Sequence, residues 1–206
     1  MFSFLRKKRE AEQSNRWIFG TMLVFGIIGL VVSFVLALEE FHLLKDPHAV
    51  LSCSINIVLN CSAVMQTWQA SVFGFPNMFI GLMGYPVVIA TAVVALAGAK
   101  LPRWFWITAN VCYGLGLLFA YWLFFNSVYD IQILCPWCLV ITFSTTILFE
   151  TITRYNLRKN VFGLKKPVNA KLQALLAKDI DKLLTASWIV FLVVLVFIKF
   201  GDSLFV

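Results

Sequence analysis

The chain has 206 residues, of which 61% are hydrophobic and 13% charged, with a mean hydropathy of +0.87 and a formal net charge of +7. No soluble domain of this size carries so much apolar surface, so the composition excludes a soluble protein and predicts an integral membrane protein. The basic residues lie between the apolar runs, which favours contact with a lipid bilayer and argues against binding to nucleic acid. Five cysteines are too few for a disulfide scaffold but enough for two pairs and one spare.

The first uncharged run spans residues 17–38 and follows a basic segment, residues 1–16. A signal peptide is the alternative, but the run is too long for one, and no small-x-small cleavage site precedes Glu39. We therefore predict a first transmembrane helix with residues 1–16 as a cytoplasmic tail.

Four further runs complete the prediction of an all-α integral membrane protein with a four-helix transmembrane bundle and a fifth transmembrane helix. These spans are predicted at 78–99, 104–127, 133–152 and 187–200. The chain then divides into the tail 1–16, a catalytic core 17–152 that includes the outer loop 39–75, a linker 153–186 and a fifth-helix segment 187–206.

Basic residues are concentrated in the tail, in the turn 100–103 and in the linker 153–186, which places these segments in the cytoplasm. The loop 39–75 and the turn 128–132 then lie outside. Within the linker, leucines recur at helical spacing between lysines, which predicts an interfacial helix on the cytoplasmic leaflet.

Cys135 and Cys138 form a Cys-x-x-Cys pair at the head of the fourth span. Two cysteines three residues apart share one face of a helix, so their sulfurs can form a disulfide. Pro136 suits the first helical turn, and the helix dipole lowers the pKa of thiols there, which favours redox chemistry. A structural disulfide or half of a zinc site are the alternatives.

Cys53 and Cys61 lie in the outer loop, on the same side as Cys135 and Cys138, in the compartment where disulfides persist. Eight residues of helix rise roughly 12 Å, so these two can bond to each other only if the loop folds back. Either could otherwise reach Cys135, and two exchangeable pairs suit a thiol–disulfide relay.

A zinc site made by the four outer thiolates is disfavoured, because the seven-residue gap departs from the short spacing of structural zinc sites. We predict no metal. Cys112, inside the third span, is expected to be a small buried apolar residue. The second half of the loop, 62–75, is expected to form a short interfacial helix, either as a lid over the bundle or as an anchor.

Asn77, Gly81 and Tyr85 recur every four residues along the start of the second span, and we expect them at the depth of the Cys-x-x-Cys pair. Asn77 suits either a helix N-cap or an amide donor to a ligand carbonyl. Gly81 would let a flat ring or a neighbouring helix approach closely.

These motifs, in this order and on these spans, resemble the vitamin K epoxide reductase family over residues 17–152. The motifs are Cys53-x7-Cys61, Asn77-x3-Gly81-x3-Tyr85 and Cys135-x2-Cys138. The disulfide bond protein B family differs, because it places its Cys-x-x-Cys in the first outer loop.

The resemblance implies a four-helix bundle around a quinone, either menaquinone or ubiquinone. Electrons would pass from a reduced thioredoxin-fold partner to Cys53 and Cys61, then to Cys135 and Cys138, then to the quinone. Cys138 would lie beside the quinone, and Cys135 would exchange with a loop cysteine. The implied cofactor-binding residues are Asn77, Gly81, Tyr85 and Thr142, with Asn77 bonded to a quinone carbonyl.

Thr142 stands where animal members have a tyrosine, which makes quinone reduction a better expectation than epoxide reduction. A hydroxyl residue that the family often has after the second loop cysteine corresponds to Thr67. The fifth span resembles that of the bacterial branch, where it leads to a fused thioredoxin domain. Here the sequence ends at Val206, so a separate partner is expected, in a bacterial inner membrane.

The resulting hypothesis is a thiol:quinone oxidoreductase that supports disulfide formation outside the cytoplasm. One alternative is a vitamin K quinone or epoxide reductase, and another is a non-enzymatic membrane scaffold with structural disulfides. His42 and His48 receive no role.

Overall fold

A computed structural model describes residues 2–46 and 51–201, without the side chains of residues 2–12 and 14; His48 lies outside the described residues. Its α-helices are α1 (Phe2–Lys45), α2 (Cys61–Met65), α3 (Met78–Leu96), α4 (Arg103–Asn126), α5 (Pro136–Arg158), α6 (Lys166–Ala177) and α7 (Ile180–Phe200). Five of them, α1, α3, α4, α5 and α7, are long and apolar enough to cross a membrane. Within the described ranges the β-structure is limited to one bridge, between Leu59 and Leu134. The predicted all-α membrane class is confirmed.

Helix α1 is longer than the predicted span at both ends. It begins at Phe2, so the tail 1–16 is helical from that residue, and it continues through Glu39 and Glu40 to Lys45. Glutamate and leucine are good helix formers, and the next helix-breaking residue is Pro47. The charged pair at 39–40 therefore ends the apolar run without ending the helix.

The predicted linker 153–186 is also mostly helical. Helix α5 runs on to Arg158, α6 occupies the middle, and α7 begins at Ile180. The polar end of α5 stays in the bundle because Asn156 donates to the Trp106 carbonyl at 3.0 Å and to the Asn110 side chain at 2.9 Å. Hydropathy alone could not show this, because these hydrogen bonds join different helices.

The bundle has two ends that differ in chemistry. At the end called here the basic end, Arg103 Nε donates to the Val161 carbonyl at 2.5 Å, and the Lys182 ammonium lies 4.3 Å from the centre of the Trp17 ring. The turn 100–103, the segment after α5 and the start of the first span therefore meet at this end. The four cysteines of the two pairs lie at the other end, called the cysteine end.

Two glycines allow α1 and α3 to approach closely. A Cβ atom on Gly81 would overlap the Ser33 hydroxyl of α1, and one on Gly29 would overlap the Tyr85 ring of α3. Gly81 therefore serves close helix packing, the second of the two roles predicted for it.

Candidate functional site

The outer loop folds back on itself and brings its two cysteines together. Cys53 and Cys61 are joined by a disulfide, with their Cα atoms 5.6 Å apart. The turn between them is held by Asn56, whose side-chain oxygen accepts the N–H groups of Val58 and Leu59 at 3.0 and 2.7 Å. This is the folded-back loop that the spacing of the two cysteines requires.

A parallel β-bridge attaches this loop to the start of α5. The Leu134 N–H donates to the Val58 carbonyl at 2.7 Å, and the Asn60 N–H donates to the Leu134 carbonyl at 3.0 Å. Cys61 follows Asn60 and Cys135 follows Leu134, so the bridge aligns the two cysteines. Asn60 also caps α2, because its side-chain oxygen accepts the Ala63 N–H at 3.2 Å.

The bridge brings a sulfur of each pair into contact. Cys61 Sγ lies 3.2 Å from Cys135 Sγ, and the two side chains are 0% and 2% exposed. Cys53 and Cys61 form the oxidised pair, whereas Cys135 and Cys138 are free thiols. An oxidised pair and a reduced pair at contact distance are the reactants of thiol–disulfide exchange.

Cys135 is the more acidic thiol of this site. It is the N-cap of α5, and its sulfur accepts the backbone N–H of Cys138 at 3.3 Å. A hydrogen bond from the Cys138 thiol, with backbone N–H groups of the first turn, lowers the pKa of Cys135 against the opposing effect of burial. Cys135 is therefore suited to attack the loop disulfide as a thiolate, or to leave as a thiolate from a mixed disulfide with a loop cysteine.

Asn77 does not cap α3, although it stands at the N-cap position. Its backbone is helical, with φ −61° and ψ −23°, and its amide Nδ2 donates to the Gln69 carbonyl at 2.7 Å. The capping role is therefore wrong, because a capping side chain needs an extended backbone. Its Oδ1 is buried and has no hydrogen-bond partner in the described part of the chain.

Trp137, between the two cysteines of the Cys-x-x-Cys pair, has a second such atom. Its indole Nε1 is also buried without a partner among the described residues. Trp137, Cys138 and Met78, the residue after Asn77, pack in one apolar cluster with Cys135. The buried, unpartnered indole N–H of Trp137 could not be predicted from the sequence, since a tryptophan near a membrane surface is usually an anchor.

These two atoms fit a quinone at the cysteine end. The Trp137 N–H can donate to a carbonyl oxygen, and Asn77 Oδ1 can accept from the hydroxyl group of the reduced ring. Buried polar atoms are normally paired, so an unpaired donor on the residue before Cys138 and an unpaired acceptor on the residue before Met78 suit a polar ligand.

Tyr85 and Thr142 have partners within the bundle. The Tyr85 hydroxyl lies 3.0 Å from Thr145 Oγ1, and its ring packs in the apolar cluster of the basic end with Phe19 and Trp106. Tyr85 is therefore deeper than the predicted depth of the Cys-x-x-Cys pair. Thr142 is buried one turn below Cys138 and donates its hydroxyl to the Cys138 carbonyl at 2.9 Å. The cofactor-binding roles of both stay predictions.

Thr67 and the predicted lid lie on the loop side of the site. The Thr67 hydroxyl donates to the Val64 carbonyl at 2.7 Å and closes the turn after α2. The predicted segment 62–75 contains all of α2 except its first residue, Cys61, and a 3-10 turn, Trp68–Ser71. This segment lies against α4. Its aromatic side chains reach that helix, since the rings of Trp68 and Trp122 lie 6.0 Å apart and those of Phe73 and Phe119 lie 5.4 Å apart.

Cys112 is exposed on α4 and not buried as predicted. In a bilayer the outward face of a helix is as apolar as its packed face, so hydropathy does not distinguish the two. His42 is exposed near the end of α1.

A family model supplies the family assignment. Residues 21–153, more than half of the chain and including both cysteine pairs, match the model of the vitamin K epoxide reductase family. No single curated protein matches the chain significantly. Members of the matched family are oxidoreductases, in keeping with a contact between an oxidised and a reduced cysteine pair. The chain, a multi-pass membrane protein with five apolar helices, belongs to the vitamin K epoxide reductase family.

Proposed function

We propose that this protein is a membrane thiol:quinone oxidoreductase that passes electrons from a thioredoxin-fold partner through its two cysteine pairs to a quinone. The observation that carries the proposal is the 3.2 Å contact between Cys61 Sγ and Cys135 Sγ, one sulfur from each pair. The family assignment supports the reaction class.

The relay consists of balanced thiol–disulfide exchanges. A partner dithiol first reduces the Cys53–Cys61 disulfide and becomes a disulfide itself. The Cys61 thiolate then attacks Cys135 of an oxidised Cys-x-x-Cys pair, so that a Cys61–Cys135 bond forms and Cys138 leaves as a thiolate. Cys53 attacks Cys61 and releases Cys135. The products are an oxidised loop and a reduced Cys-x-x-Cys pair, the state that the structure holds.

The second half of the reaction reoxidises Cys135 and Cys138. A bound quinone, menaquinone or ubiquinone, supplies the acceptor for two electrons and two protons. The residues of this chain that would hold it are Trp137, as a donor to a carbonyl oxygen, and Asn77, as an acceptor from a hydroxyl. Their apolar surroundings exclude water from the sulfur atoms.

The cysteine end is proposed to face the outside of a bacterial inner membrane, where the protein would support disulfide formation. The basic segments meet at the opposite end of the bundle, and basic residues favour the cytoplasmic side. Reduction of quinone is preferred to reduction of an epoxide, because Thr142, in place of the tyrosine of animal members, donates its hydroxyl to its own helix.

The test is quinone reduction by purified protein, with ubiquinone and menaquinone analogues as acceptors and dithiothreitol as donor. We expect turnover in the wild type, its loss in Cys138→Ala and its retention in Cys112→Ala, whose side chain lies on the outer surface of α4. Folded wild-type protein that reduces neither quinone would contradict the proposal and favour a scaffold with structural disulfides.

A further inference from the structure

We infer that α7 is a positioning element of the cysteine relay, which holds the β-bridge that places Cys61 beside Cys135. The inference rests on the proposed function and assigns a role in it to a helix that lies wholly outside the matched residues 21–153.

One face of α7 belongs to the apolar cluster that also contains the side chains of the bridge. Leu192, Val196 and Phe200, spaced by four, are buried in one apolar cluster with Leu134, and Val58 and Leu59 pack against the same cluster. Leu192 and Leu134 are both 0% exposed. The bridge residues thus share one cluster with this face of α7, and Phe200 is the member of that face farthest from the basic end.

The other face of α7 is left open. Val190, Val194 and Ile198 are exposed, with Ile198 at 81%. Inside a bilayer, apolar side chains gain nothing from avoiding lipid, so helices associate there through close packing and polar contacts. The burial of the Leu192 face therefore reflects specific packing within the cluster that contains Leu134.

Polar contacts fix the register of α7 at two further levels. At the basic end, Arg154 of α5 lies 2.6 Å from Asp179 and 2.6 Å from Asp181. Midway along the helix, Trp188 Nε1 donates to the Tyr121 hydroxyl of α4 at 2.8 Å.

The Tyr121 hydroxyl also lies 2.9 Å from Thr146 Oγ1, so Trp188 is level with Thr146 of the antiparallel α5. Twelve residues further along α7, Phe200 then reaches the level of Leu134, which precedes Thr146 by twelve residues. With its register fixed in this way, α7 presents Phe200 to the bridge in a single arrangement.

The bridge needs such support. It contains two hydrogen bonds, of 2.7 and 3.0 Å, and isolated strand pairs are marginally stable in water. Apolar side chains packed over it keep water from competing for these bonds. By holding the bridge, α7 sets the effective concentration of the Cys61 thiol at Cys135, on which the exchange rate depends.

The test measures this effective concentration without quinone or partner. The background variant Cys53→Ala/Cys138→Ala/Cys112→Ser leaves Cys61 and Cys135, whose single possible disulfide is equilibrated with oxidised and reduced dithiothreitol. Thiol alkylation and mass spectrometry then give the equilibrium constant, as two thiols become one disulfide and oxidised dithiothreitol becomes a dithiol.

Phe200→Ala in this background is expected to lower the equilibrium constant by roughly threefold to a hundredfold, within the range for coupled contacts. Val196→Ala should act in the same direction. The matched control Ile198→Ala, on the open face of the same helix, should stay within about twofold of the background, since truncation of an exposed side chain leaves the packing unchanged.

Unchanged constants in folded Phe200→Ala and Val196→Ala would overturn the positioning role. If Phe200→Ala does not fold, Phe200→Leu and Val196→Ala decide the question, and background values in both would again contradict the role. Absence of quinone turnover together with a lowered constant would contradict the proposed function alone, so the two failures are distinguishable.

Discussion

The two ends of helix α5 favour side chains of opposite charge. At its start, Cys135 accepts the backbone N–H of Cys138 and has a lowered pKa, which favours the thiolate. Near its end, the Arg154 guanidinium is paired with Asp179 and Asp181. A helix dipole stabilises anions at the N-terminus and cations at the C-terminus, so the direction of α5 favours this arrangement.

The ends differ in how their contacts can change. At the cysteine end, segments distant in sequence meet through two sulfur atoms in contact, and Trp137 and Asn77 each keep a buried polar atom without a partner among the described residues. At the basic end, α5 and α7 meet through the ion pairs of Arg154, which carry no electrons. The comparison indicates that chemistry belongs to the first end and fixed packing to the second.

The largest expected effect comes from removing the sulfur that links the two pairs. Cys61→Ala should reduce turnover driven by a thioredoxin-fold donor by about a hundredfold or more, the scale of losing a nucleophile. Turnover driven by dithiothreitol should persist, because a small dithiol can reduce Cys135–Cys138 directly. Steady-state rates with both donors check this. Equal losses with both donors would show that Cys61 does not mediate between partner and Cys-x-x-Cys.

The next effect tests the basic end. Arg154→Met should lower the free energy of unfolding by about 1–3 kcal/mol, less than for a fully buried pair because Asp179 is 56% exposed. Denaturation in mixed micelles, followed by helical circular dichroism, gives this value. The control Lys182→Met removes a more exposed partner of Asp179 and should cost less than about 1 kcal/mol. If the control costs as much as Arg154→Met, the ion cluster is not the structural anchor of α7.

The sequence predicted those parts of this comparison that depend on local signals. The apolar spans follow from hydropathy, and the positions of the four cysteines relative to these spans predict that both pairs lie at one end of the bundle, where Cys61 and Cys135 are in contact. From the sequence, Arg154 was predicted only to be one of the basic residues of the linker 153–186. Its ion pairs with Asp179 and Asp181 could not be predicted, because they depend on how α7 packs against α5.

Contacts between segments that are distant in the sequence could not be predicted from it. Val58, Leu59 and Leu134 look like ordinary apolar residues, yet their backbone atoms bring Cys61 to Cys135. Trp137 was missed for another reason, since an unpaired indole N–H is visible only when its surroundings are known.

A smaller effect, on the KM for quinone, is expected from removing the indole N–H at the cysteine end, and it tests whether this end binds a polar ligand. Trp137→Phe keeps the ring and removes the N–H, so we expect a KM for quinone that rises by roughly twofold to twelvefold, the value of one hydrogen bond. The kcat should change little. Trp122→Phe, on α4 against Trp68, is the control and should leave KM unchanged. A KM unchanged in Trp137→Phe would show that the indole N–H does not contact the quinone.

The smallest expected effect is a shift in the pH dependence of the alkylation rate of Cys135. The thiolate is the reactive form of cysteine, so the alkylation rate of Cys135 rises with pH through its pKa. The largest cause of its lowered pKa is the hydrogen bond from the Cys138 thiol. Cys138→Ala should therefore move the rise to higher pH and slow alkylation near neutrality, as measured by mass spectrometry of the reduced protein.

Cys138→Ser separates this cause from the general influence of the helix start. A serine hydroxyl can still donate to the Cys135 thiolate, so its profile should lie closer to the wild type than that of Cys138→Ala. Backbone N–H groups and the dipole of α5 are the same in both variants. If both profiles coincide with the wild type, the helix start alone favours the thiolate, and the contrast between the two ends of α5 rests on the dipole without the help of Cys138.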